Sequence, residues 1–82
     1  MDDRLKELKN RWDESEQRRR MAYRRVQWLE KQILESETEE EFDQRNEEIE
    51  QAIGYTRQCG IEEINALLAY SKAEFENQLC AK

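Results

Sequence analysis

The chain has 82 residues, 41% of them charged, with fourteen Lys/Arg against twenty Asp/Glu and a formal net charge of -6. That length allows one small domain with a thin core. The lack of His removes the commonest acid–base and metal-binding side chain, and a sequence pI near 4.8 argues against a dedicated nucleic-acid binder.

Pro is absent and Gly occurs twice, so little interrupts helix formation. Two Trp, three Tyr and two Phe argue against disorder. The opening "MDDRLKELK" is charged from its second residue, which predicts no signal peptide. No later segment is apolar for long enough to span a bilayer. The expectation is a cytoplasmic protein without a membrane partner, and the initial Met favours a complete chain.

The first predicted helix covers about residues 3–35. Leu5, Leu8, Trp12, Ser15, Arg19, Ala22, Val26, Leu29 and Ile33 recur at alternating steps of three and four, a heptad seam. Its ends are apolar and its middle, Ser15 and Arg19, is polar. "LESETEEEF" then supplies a stop and a restart. Thr38 and Glu41 have capping-box spacing, Ser36 and Glu39 a competing one, and Glu39, Glu40 and Glu41 suit a first turn. A turn at about 36–38 therefore reverses the chain.

The second helix is predicted over about 39–80. Its apolar stripe runs Phe42, Asn46, Ile49, Ile53 and Thr56, then Ile61, Ile64, Leu68, Ser71, Phe75 and Leu79. The two parts differ in register, and the slip falls on "GYTRQCGI". Two alternatives follow. The second half is one helix kinked near Gly60, or it breaks over 54–60 into two, giving three helices. Lack of an N-cap before Ile61 favours one helix. On such a helix Cys59 and Cys80 would lie about 30 Å apart, too far for a disulfide. They read as reduced thiols, an intermolecular bridge remaining open.

Charge divides between the halves. Residues 1–36 carry ten Lys/Arg and eight Asp/Glu; residues 37–82 carry four and twelve. Arg4, Arg11, Arg18 and Arg25, spaced by seven, flank the first seam and are expected to brace the acidic second half. Arg20 and Arg24 point elsewhere, beside Met21 and Trp28, residue types suited to binding hot spots. Leu67 and Tyr70 lie off the main stripe of the second half and could meet them. Three covers are open for Met21 and Trp28: this chain's own core, a second copy, or a different partner.

"LKNRWDE" resembles the opening of a spectrin-type repeat over seven residues. "EFDQRNEEIEQAI" is similar to a segment of the small helical-hairpin cochaperones of type III secretion systems. Both imply amphipathic helix, and neither carries functional residues across.

The sequence thus predicts an all-α antiparallel hairpin with coiled-coil-like packing, dimerising to a four-helix bundle. Its expected role is a non-enzymatic adaptor, regulator or small chaperone without cofactor or metal. There is no Gly-rich phosphate loop and no Cys with a base partner. Its candidate partner-binding residues are Arg20, Met21, Arg24, Trp28, Leu67 and Tyr70, facing a second copy or an acidic or helical protein. A regulator whose Arg-rich helix contacts nucleic acid and a purely structural coiled-coil segment are the alternatives.

Overall fold

The computed structural model describes residues 3–81. Two helices account for all of them but the turn 35–38: α1, Asp3–Leu34, and α2, Glu39–Ala81, of 32 and 43 residues. They pack against each other in an antiparallel hairpin measuring 65 × 14 × 13 Å. The long dimension is the length of α2 itself, at about 1.5 Å per residue. Among the described residues no helix is long and apolar enough to cross a membrane.

The turn is built from local chemistry. At the end of α1 the Glu35 and Ser36 amides donate to Gln32 and Ile33 carbonyls at 3.1 and 3.2 Å, tightening the last turn. Thr38 then caps α2: the Glu41 amide donates to Thr38 Oγ1 at 3.1 Å, and Glu41 Oε2 accepts from the Glu37 amide at 3.1 Å. This is a capping box displaced by one residue on its return arm. Arg45 closes the hairpin from the α2 side. Its Nη1 donates to the Gln32 carbonyl at 2.6 Å and to Ser36 Oγ at 3.2 Å, adding a second bond to a carbonyl that already accepts from the Glu35 amide.

All nine positions of the α1 heptad are buried or half-buried. Leu29 is the deepest, at 1% exposure, with Val26, Ala22 and Ser15 beside it. Ser15, a polar residue in the middle of the seam, is satisfied within its own helix, donating to the Arg11 carbonyl at 2.8 Å. Arg19 reaches across and forms an ion pair with Glu63 of α2.

α2 departs from its predicted register. The helix runs unbroken through Gly54 and Gly60, neither of which takes a positive φ, so the three-helix alternative falls away. An unbroken helix keeps one heptad, and that heptad faces α1 with Ile49, Ala52, Thr56, Cys59, Glu63, Ala66, Tyr70 and Ala73. The stripe expected to continue the core is exposed instead: Ile61, Ile64, Leu68, Ser71, Phe75 and Leu79 all face solvent, as do Phe42 and Asn46. Eight residues separate Ile53 from Ile61 where a heptad has seven. With no break to absorb the extra 100°, everything beyond rotates off the seam.

The arginine stripe also behaves differently. Among the described residues the ion pairs are Lys9–Asp13, Arg11–Glu7, Arg20–Glu16 and Arg19–Glu63. None joins Arg4, Arg11, Arg18 or Arg25 to α2. Arg11 is held by Glu7 one turn away at 3.2 Å, and Arg18 donates to Ser15 Oγ at 3.3 Å. Partners within α1 are fixed at helical distance before the hairpin closes, so they prevail over carboxylates on the other helix. The one cross-helix pair comes from the seam itself.

Candidate interaction surface

Two surfaces remain open once the hairpin is closed. The first is the outer stripe of α2. Ile61, Ile64, Leu68, Phe75 and Leu79 are 54–61% exposed, at steps of three, four, seven and four. They fall within about 60° of one another on a helical wheel and extend along about 27 Å of α2. Their centre lies roughly 145° from the face that meets α1, beyond the reach of that helix. Five large apolar side chains on one line of a small chain are more than scattered surface hydrophobics.

The second surface is on α1. Met21 is 62% and Trp28 54% exposed, and Arg20 and Arg24 are exposed beside them. Arg20 is tied to Glu16 at 2.5 Å, so its charge is shared within the helix. Met21 also stands at the mouth of a groove of about 590 Å³ between the helices. Ala22 and Ala52 form its floor, because two methyl groups facing each other leave room. Arg18 and Arg25 border it from α1, Glu48, Gln51 and Tyr55 from α2. The buried Cys59 thiol one turn away holds Tyr55 above its ordinary phenol pKa.

Leu67 and Tyr70 belong to neither surface. Both are half-buried, whereas the sequence pattern leaves them uncovered. Tyr70 packs on Trp12 of α1, ring centroids 5.7 Å apart and planes tilted by 31°. Lys9 Nζ lies 4.3 Å from the Trp12 ring centroid, a cation–π contact, while donating to Asp13 at 2.7 Å. The Glu74 carboxylate one turn away raises the Tyr70 phenol's pKa. These residues latch the open end of the hairpin. The six candidates therefore separate into an exposed group on α1 (Arg20, Met21, Arg24, Trp28) and an internal pair on α2.

Sequence reasoning found the α2 stripe but assigned it to the core. Its later part holds the large residues Ile61, Ile64, Leu68 and Phe75, while the interleaved seam holds Cys59, Ala66 and Ala73. Side-chain size points to the wrong face here. The useful signal was the eight-residue step combined with the missing cap.

Among the described residues no group of three or more His, Cys, Asp or Glu side chains is placed to hold a metal ion. Cys59 is buried and Cys80 exposed, both as free thiols. No protein-family model, curated protein or solved structure matches the chain.

Proposed function

We propose that this chain is a non-enzymatic protein–protein interaction module of the adaptor, regulator or small-chaperone kind, acting by helix–helix packing and by self-association as a homodimer. The observation that carries the reading is the exposed stripe Ile61–Leu79 on the side of α2 away from α1. A helix that is apolar on one face buries it against something. Here α1 covers the opposite face, which leaves the stripe for another chain. The Arg20, Met21, Arg24 and Trp28 face is the place for a different partner, helical or acidic, once the α2 stripe is occupied.

Nucleic acid is the less supported partner. The arginines of α1 are interspersed with Glu7 and Glu16, which neutralise Arg11 and Arg20, and a protein that neutralises phosphates needs its basic charge uncommitted.

Sedimentation equilibrium across the micromolar range tests self-association. A concentration-dependent shift from monomer to dimer mass supports the module; a strict monomer at every concentration refutes the homodimer.

A further inference from the structure

Resting on that reading, we propose that the second copy docks antiparallel, α2 on α2, with the two-fold axis near residues 66–67. Charge distribution around the stripe selects both occupant and direction. Glu62, Lys72 and Glu76 lie along one flank of the stripe, and Arg57 lies in line with it one turn before Ile61. The other flank carries Gly60, Ser71, Glu74 and Gln78. Arg57, Glu62, Lys72 and Glu76 are all exposed, and among the described residues none of the four takes part in an ion pair within the chain.

In an antiparallel helix pair the same flank of each helix meets its counterpart; in a parallel pair opposite flanks meet. Parallel docking therefore sets the charged flank against one whose only charge is Glu74, already engaged by Tyr70, and leaves Glu62 and Glu76 with no cation opposite. Antiparallel docking about residues 66–67 sets Lys72 opposite Glu62 of the second copy and Arg57 opposite its Glu76. Symmetry repeats both pairs. The same register puts Ile64 opposite Leu68 twice at the centre, and Ser71 over Ile61, where a small residue accommodates a large one. In this register Phe75 lies over the aliphatic stem of Arg57 of the second copy, and Leu79 beside its Gly54.

The area is sufficient for a dimer. Five side chains a little over half exposed offer roughly 100 Å² each, giving about 1,000 Å² over the two copies, the threshold for a specific interface. The rotation between the two faces of α2 also fixes the shape. A square four-helix bundle needs contact faces about 90° apart on each helix, whereas these lie roughly 145° apart. The dimer is then a nearly flat layer in the order α1–α2–α2–α1, with Met21 and Trp28 still open on both outer helices.

Cys80, exposed near the end of α2, reports the direction. In the full-length Cys59→Ala variant, spin labels on Cys80 lie about 40 Å apart in the antiparallel register and side by side in a parallel one. Pulsed dipolar spectroscopy on a sample shown to be dimeric by sedimentation separates the two. A distance distribution centred near 40 Å supports the proposal, and a short distance overturns it. Leu68→Glu tests the face: Leu68 is 61% exposed, so helicity is retained while the dimer dissociation constant rises on the order of a hundredfold. A helical Leu68→Glu variant that dimerises as before shows that copies meet elsewhere and overturns the proposal while leaving self-association standing. A strict monomer in the unsubstituted chain removes both.

Discussion

Replacing both glycines of α2 by alanine is expected to stabilise the protein. Each glycine sits inside a continuous helix without a positive φ, so neither position uses the conformational freedom that glycine provides. A Cβ built on Gly54 or on Gly60 meets nothing within 4 Å, so the added methyl groups create no overlap. In a helix interior Gly→Ala gains about 1 kcal/mol, chiefly by restricting the unfolded chain. The sites are six residues apart and share no partner, so the gains add to about 2 kcal/mol. For a domain of this size that raises the melting temperature by about 10 °C. Far-UV circular dichroism melts of the two single variants and the double variant, at one fixed protein concentration, give the comparison. A lower melting temperature or a loss of helicity in either single variant would falsify the continuous helix, because alanine is unfavourable where glycine supplies a break or a left-handed residue.

Two further outcomes follow from contacts outside the core. Arg45→Met keeps the aliphatic stem and removes the bonds to the Gln32 carbonyl and Ser36 Oγ; a loss of about 1–2 kcal/mol in urea unfolding is expected. Faster hydrogen exchange should appear at the Glu35 and Ser36 amides, and unchanged exchange there would count against the clamp. Glu74→Gln removes the carboxylate that raises the Tyr70 pKa, so phenolate absorbance should show Tyr70 titrating nearer its ordinary value of 10.0. The sign follows from linkage. A pKa higher in the folded than the unfolded chain stabilises the fold fully below the unfolded value, and that contribution is lost as pH rises through the folded one. The wild-type hairpin is therefore expected to weaken in alkali by a step that Glu74→Gln reduces.

The first half of this fold was legible because its signals are local. The α1 heptad names its own buried face, and the Thr38–Glu41 spacing names the start of α2. The second half was harder to read. Gly54 and Gly60 suggest an interruption, yet whether a glycine breaks a helix depends on a cap to begin the next one, and Ile61 has none before it. With no break, Ile61 and Leu68 moved outside while Cys59 and Ala66 came in. The arginines show a different limit. Arg11 and Arg18 have the spacing for cross-helix pairing, but sequence spacing does not weigh them against partners one turn away on their own helix. Arg45 illustrates a third case, since a side chain that serves a backbone carbonyl across a turn leaves no pattern in the residues it joins. Of the candidate residues, Met21 and Trp28 are open to solvent, whereas Tyr70 is committed to Trp12.

The inner face of α2 holds Ala52, Thr56, Cys59, Ala66 and Ala73, and Leu29 is the one large side chain among the described residues with less than 2% exposure. A hairpin closed over residues this small gains little from excluding water within a single copy. Mass action then couples folding to abundance: if the apolar stripe of α2 is covered only when copies meet, the folded fraction rises with the total amount of protein. Dilution would then lower the melting temperature of such a chain without any change in its sequence or solvent.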